Sequence, residues 1–317
     1  MSNYIPIVDV SAFKNGSLDQ KKKIAKEIRK TAENSGFFYI SGHGIAPSLI
    51  EQAFATSKRF FALDQGQKSE ICVDTNQRGW MAEGLATLEG SKTHDAKEIF
   101  FWGWDVAKND PDNTLPMVAP NLWPNQHAPW LKQDLSPYYL AACDVGGIVM
   151  SALALSFDLQ EDFFEEAYKK PLARGQLVYY PPFTDKDEAS ERFSAAPHTD
   201  FGVLTLLLQD NNGGLQVRTA DGNWIDAPPV DGTLICNIGD LLQRWSNKRL
   251  VSTVHRVINR SGRERYSIPI FFDPHSATNI DPCDLGVPKV TSLYEPTTAG
   301  EYIAAKNTKN FNHYSKK

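Results

Sequence analysis

The chain has 317 residues, about twice the ~150 of an average domain, so it makes either two domains or one large domain with additions. With 41% hydrophobic and 22% charged residues and ordinary Gly and Pro usage, collagen, coiled coil and wholesale disorder are excluded. The 33 Lys+Arg against 38 Asp+Glu leave a net charge of −5, with no basic block longer than Lys21-Lys22-Lys23, so the footprint of a nucleic-acid binder is missing.

Ser17, followed three residues later by Gln20, is the pattern of a capping box, and Ile24, Ile28 and Ala32 then recur at four-residue spacing until Gly36. An amphipathic surface helix is predicted there. Phe37-Phe38-Tyr39-Ile40 reads as a short strand closed by Gly42-His43-Gly44, and a second helix is expected from Pro47 towards Phe61. A mostly polar stretch from Arg78 to His94 precedes the aromatic run Phe100-Phe101-Trp102-Gly103-Trp104, which is read as core packing. Pro111 to Pro129 has the composition of a loop. Leu135, Tyr139, Ala142, Val145, Val149 and Leu153 predict a long helix with one apolar face, a scaffold element.

Near residue 172 the periodicity shortens. Strands are expected at Leu177-Tyr180, Val203-Leu208, Leu215-Arg218, Thr233-Asn237, Ser252-Val257 and Arg265-Phe272, separated by Gly-, Asn- and Asp-rich turns, with Gly239-Asp240 among the turns. Such spacing suggests a sandwich or jelly roll. Cys72, Cys143, Cys236 and Cys283 lie far apart with no Cys-x-x-Cys, so free thiols are expected rather than disulfides or a cysteine zinc site. The N-terminal residues lack the charged and apolar regions of a signal peptide, and no apolar run of ~18 residues is evident, so a soluble cytoplasmic protein with no membrane partner is expected.

Among seven histidines, His198 and Asp200 stand two residues apart, and in an extended segment they share a face. Alone, His-x-Asp is as well read as a polar turn. His255, inside another expected strand, changes the balance, because an antiparallel roll can bring it beside the first two. Two His and one carboxylate on one face of an octahedron leave positions open, as a non-haem Fe(II) centre requires. Arg265 and Ser267 share a strand face, and an inward Arg needs an anion such as a carboxylate.

At this point the chain resembles the Fe(II)- and 2-oxoglutarate-dependent oxygenases of the isopenicillin N synthase-like superfamily. The resemblance runs from Ile5-Pro6-Ile7-Val8-Asp9, Gly36-Phe37-Phe38-Tyr39 and Gly42-His43-Gly44-Ile45 through Tyr179-Tyr180-Pro181-Pro182 and His198-Thr199-Asp200 to Arg265-Tyr266-Ser267. Gly213-Gly214-Leu215-Gln216-Val217, Asn237-Ile238-Gly239-Asp240 and Trp245-Ser246-Asn247 look like turns and strands of that family's double-stranded β-helix. The resemblance implies an α+β fold with a jelly-roll core and N-terminal and flanking helices. Its expected division is an N-terminal region 1–130, scaffold helices 131–171, the core 172–280 and a C-terminal segment 281–317. It makes His198, Asp200 and His255 the iron ligands, and gives Arg265, Ser267 and Tyr180 the distal carboxylate of 2-oxoglutarate. Val178 stands where plant members often carry an Asn, so one polar contact is absent or replaced.

The implied activity is a dioxygenase that oxidises, most simply hydroxylates, a small organic molecule with O2 as cosubstrate and release of succinate and CO2. Relatives of the isopenicillin N synthase type that use no 2-oxoglutarate are the alternative, and a non-enzymatic metal-binding jelly roll is the more distant one. The stretch 213–257 is especially similar to microbial and fungal members, pyrimidine-oxidising ones included, but likeness of fold transfers no substrate. His43 is read as a turn residue, and His94, His127, His275 and His313 as solvated or hydrogen-bonded.

Overall fold

The computed structural model describes residues 4–85, 93–190 and 192–310. Its helices are α1 (Leu18–Asn34), α2 (Pro47–Phe61), α3 (Gln65–Ser69), α4 (Trp130–Ser156), α5 (Asp185–Ala189), α6 (Asp240–Trp245) and α7 (Ala299–Asn310). In the capping box of α1, the Ser17 backbone N–H donates to Gln20 Oε1 at 2.8 Å and Ser17 Oγ accepts from the Gln20 N–H. Ile24, Ile28 and Ala32 are buried. Gly36 then turns the chain at φ +65°, and a Cβ there would lie 2.0 Å from the Val251 carbonyl oxygen, so no other residue fits. Helix α2 starts on Pro47, where a missing N–H costs nothing.

Helix α4 begins at Trp130, before the expected Leu135, because Leu131 continues the same apolar stripe one turn earlier. It also corrects the membrane reading of the sequence: α4 is long and apolar enough to cross a membrane by length and composition. Most of its apolar residues are instead buried, on the side where α1, α2 and the sheet pack, while Leu140 is half exposed.

The strands β1 (Ile7–Asp9), β2 (Phe37–Ser41), β3 (Gly79–Met81), β4 (Glu98–Gly103), β5 (Arg174–Tyr180), β6 (Ala195–His198), β7 (Leu204–Gln209), β8 (Leu215–Arg218), β9 (Trp224–Asp226), β10 (Leu234–Ile238), β11 (His255–Val257) and β12 (Arg265–Phe272) form two sheets. The larger runs β1-β2-β10-β7-β12-β5-β4-β3 and the smaller β6-β11-β8-β9. Strands from the N-terminal region are therefore hydrogen-bonded into the same sheet as the core strands. Helices α1, α2 and α4 cover one face of the large sheet, and the other face meets the small sheet across Phe37, Ile99, Val178, Leu215, Val217 and Ile235. This is the expected α+β jelly roll.

Three local expectations are corrected. Gly239 to Trp245 is the N-cap and body of helix α6 rather than turn and strand, because Gly239 passes so close to Gly202 that a Cβ would lie 2.1 Å from its carbonyl oxygen, and helical bonds take over from there. Strand β11 is only three residues long, since Ser252 and Thr253 bond to Gln243, Asp240 and Ser35 instead of to a ladder. Strands β3 and β6 carry no sequence signal of their own and exist by pairing, β3 with β4 inside the stretch read as polar and β6 with β11. Residues 86–92 of that stretch, and His313, lie outside the described residues.

Candidate metal and cosubstrate site

Register brings the triad together. β11 pairs with β6 so that His255 stands opposite His198, and Asp200 follows two residues beyond the end of β6. The ligand atoms of His198, Asp200 and His255 lie within 4.8 Å of one another. Asp200 Oδ1 is 3.9 Å from His198 Nε2 and 3.7 Å from His255 Nε2.

Each donor is oriented from behind. His198 Nδ1 is 2.7 Å from the Ala196 carbonyl and His255 Nδ1 is 3.1 Å from that of Thr253, so each Nδ1–H donates backward and leaves an Nε2 lone pair forward. Asp200 Oδ2 accepts from Thr205 Oγ1 at 2.5 Å and from Asn237 Nδ2 at 2.7 Å, which leaves Oδ1 for the shared point. Burial, and then the neighbouring His255, bring His198 down to about 4, so its imidazole stays neutral and ready to ligate. Burial alone would raise Asp200, but His255, His198 and the Asn237 and Thr205 hydrogen bonds hold it below the ordinary carboxylate value. Two imidazoles and one carboxylate in a buried, one-sided set fit Fe(II).

Arg265 lies on β12 and is wholly buried at 0% exposure. Its Nε donates to the Gly213 carbonyl at 2.6 Å and its Nη2 to Gln209 Oε1 at 3.2 Å, while Nη1 has no hydrogen-bond partner among the described residues. A buried guanidinium held only by neutral acceptors, with one nitrogen unused, is a cradle for a carboxylate. Ser267, buried two residues along the same strand face, and Tyr180, the cross-strand partner of Arg265 with its ring 4.8 Å from Cζ, complete the cradle. The residues present therefore fit the far carboxylate of 2-oxoglutarate. Val178, opposite Ser267, is packed among apolar side chains and offers no polar contact.

A cavity of about 80 Å³ adjoins the triad, lined by His198 and Asp200 together with Lys97, Gln176, Phe271 and Asn307. The sequence reading missed these polar walls. Lys97 Nζ lies 2.8 Å from Asp95 Oδ2, and Asp95 Oδ1 accepts the Ala196 N–H at 3.0 Å. Burial would lower Lys97, but Asp95 and then Tyr180 outweigh it and keep the ammonium charged. The available signal was alternation: Lys97 faces inward while Glu98 turns outward to Lys68 and Trp80. Thr205 and Asn237 left a similar trace as polar residues inside otherwise apolar strands, though nothing local pointed to Asp200 as their partner.

The other singled-out residues lie apart from the triad. His43 Nδ1 accepts the Ile45 N–H within its turn, His127 bridges Gln67 and Glu70, and His275 is 3.4 Å from Asp112. Phe100 and Trp102 fill the helix-side core, Phe101 the inner cluster. All four cysteines are free.

Residues 5–126 match the non-haem dioxygenase in morphine synthesis N-terminal family, and residues 175–274 match the 2OG-Fe(II) oxygenase superfamily. A 2-oxoglutarate-Fe(II) type oxidoreductase of Emericella nidulans is 38% identical over 275 residues, covering 84% of this chain and 78% of the relative. A 2-oxoglutarate-dependent dioxygenase of Monascus ruber is 31% identical over 320 residues, covering 98% and 97%. The structure of thymine 7-hydroxylase from Neurospora crassa in complex with 2-oxoglutarate and thymine superposes with a TM-score of 0.84 at 29% identity, covering 95% of this chain and 96% of that one. With the fold, the triad geometry and these relatives in agreement, the chain belongs to the 2OG-Fe(II) oxygenase superfamily and is a non-haem Fe(II)- and 2-oxoglutarate-dependent dioxygenase that oxidises a small organic molecule.

Proposed function

We propose that His198, Asp200 and His255 hold the Fe(II), that Arg265, Ser267 and Tyr180 hold the distal carboxylate of 2-oxoglutarate, and that the enzyme hydroxylates a compact polar molecule in the cavity beside them. The observation that carries the reading is the unpartnered Nη1 of a fully buried Arg265 on the same roll interior as the triad. When bound, Fe(II) with 2-oxoglutarate and O2 supplies the oxidising power, with succinate and CO2 released. The chain does the rest. The Ala196 and Thr253 carbonyls fix the imidazoles, Thr205 and Asn237 fix the carboxylate, and Arg265 fixes the cosubstrate at its far end. Phe271 and Ile99 line the cavity and keep water from the reacting carbon.

The same reading makes the enzyme cytoplasmic, consistent with free thiols, and independent of nucleic acid and membrane, consistent with the acidic balance and with a helix α4 most of whose apolar residues are spent on the core. The test is anaerobic loading with Fe(II) and 2-oxoglutarate, followed by a screen of small metabolites for substrate-stimulated succinate. Pyrimidines come first, because a thymine-bound relative shares the fold. Turnover of a discovered substrate without 2-oxoglutarate would refute the cosubstrate assignment.

A further inference from the structure

Two ion pairs each present their cation to the cavity beside the triad. Lys97 is matched by Asp95, and Arg174 Nη2 by Asp273 Oδ2 at 2.9 Å. The second pair starts a chain of hydrogen bonds whose direction is forced. Arg174 Nη1 can only donate, so Gln77 accepts through Oε1 at 2.6 Å; Gln77 Nε2 then donates to Asn307 Oδ1 at 3.3 Å. What remains for the Asn307 N–H is the Met117 sulfur at 3.6 Å, a weak acceptor. Gln77 holds its place at φ +55°, a left-handed conformation that a non-glycine residue adopts only when its surroundings require it. Lys97 likewise has three donors, and among the described residues Asp95 is its partner. Lys97 and Asn307 thus offer donors to the cavity, and Gln176 in the same wall offers an amide that can accept as well as donate.

We propose that this cavity selects a compact, uncharged carbonyl compound, a cyclic amide or imide in class, and that Lys97 and Asn307 are the residues that select it. This rests on the dioxygenase reading above. Charge decides the class. Lys97 with Asp95 and Arg174 with Asp273 are each neutral, and Fe(II), Asp200, the 2-oxoglutarate dianion and Arg265 also sum to zero. A carboxylate substrate would add a desolvated charge with no spare cation among the described residues that line the cavity, whereas a carbonyl oxygen accepts the same hydrogen bonds without it. The apolar walls of Phe271 and Ile99, beside the polar groups, favour a compact molecule with one apolar face.

The experiment uses the full chain loaded anaerobically with Fe(II) and 2-oxoglutarate, titrated by calorimetry with matched pairs: uracil against orotate, 2-pyrrolidinone against pyroglutamate. The neutral member of at least one pair should bind at least about tenfold tighter than its acid, a difference of ~1.4 kcal/mol. Lys97→Gln and Asn307→Ala should each weaken that probe by about tenfold or more, with 2-oxoglutarate affinity unchanged. Because Lys97→Gln strands Asp95, the double variant Asp95→Asn with Lys97→Gln, which removes both charges, should fold and show the same loss. Tighter binding of the acids, absence of binding by every neutral probe, or a Lys97→Gln defect in 2-oxoglutarate affinity would each overturn the proposal. A wild type that takes up Fe(II) but no 2-oxoglutarate would overturn the cosubstrate reading first, and this inference with it.

Discussion

On β5 and β12 the helix-facing residues Leu177, Tyr179, Ile268, Ile270 and Phe272 pack into the core beneath the helices, with the Tyr179 ring 5.5 Å from that of Phe61 on α2. Their alternate neighbours Arg174, Gln176, Tyr180, Arg265, Ser267 and Phe271 face the interior of the roll. The two faces belong to the same strands and are separated only by the pleat. Residues on the first act by removing apolar surface from water, roughly 25 cal/mol per Å², and tolerate exchange for others of similar volume. Several on the second are buried polar groups, which cost stability unless each finds a partner, so their identities are set by what they hold. One strand thus serves stability and chemistry at once, and damage on the two faces should be separable.

The sharpest test lies on the inner face. His198→Ala, Asp200→Ala and His255→Ala should each abolish tight Fe(II) binding and turnover, since a facial triad has no spare protein ligand. His43→Ala, in its turn near Ile45, should retain both. Anaerobic Fe(II) calorimetry decides it, and full affinity in His255→Ala would remove that residue from the triad. Next in size is the cosubstrate anchor: Arg265→Gln should weaken 2-oxoglutarate by ~2 to 5 kcal/mol, with Arg265→Lys recovering only part because an ammonium lacks the planar fork. Titrating 2-oxoglutarate with succinate as readout gives the answer, and a defect confined to the organic substrate would place Arg265 on that molecule instead.

A smaller effect is expected behind the ligands. Asn237→Ala leaves Asp200 Oδ2 with Thr205 alone and should lower Fe(II) affinity about 10- to 100-fold while the fold survives. Unchanged affinity would mean that Thr205 and the backbone orient Asp200 without it. On the helix side, Val149→Ala in α4, a fully buried position, should lower stability by ~1 to 3 kcal/mol and leave the activity of the folded fraction intact. A thermal melt with matched assays checks this, and a loss of activity without a loss of stability would break the division between the two faces.

Local order was legible where near neighbours in the chain decide it. The Ser17–Gln20 box and the apolar stripe of α4 depend on residues three or four apart, and the start of α2 on Pro47 alone. The ordered set His198, Asp200, His255, Arg265 and Ser267 was legible too, because strand alternation puts i and i+2 on one face whatever the strand pairs with. Strand β6 was not, since Ala195–His198 has no alternation of its own and becomes a strand by pairing with β11. Asn237 and Thr205 behind Asp200, and Asp95 beneath Lys97 and the Ala196 N–H, reach their partners across sheet register. Gln77 and Asn307 meet from 230 residues apart. The sequence by itself determined which residue types recur at which spacing, and hence the elements, the chemistry of the metal and cosubstrate groups and the class of enzyme. Only the tertiary structure decided which side chains stand behind those groups and what lines the cavity, because such contacts are set by which strands pair and in what register, a property of the whole sheet and not of any local stretch of chain.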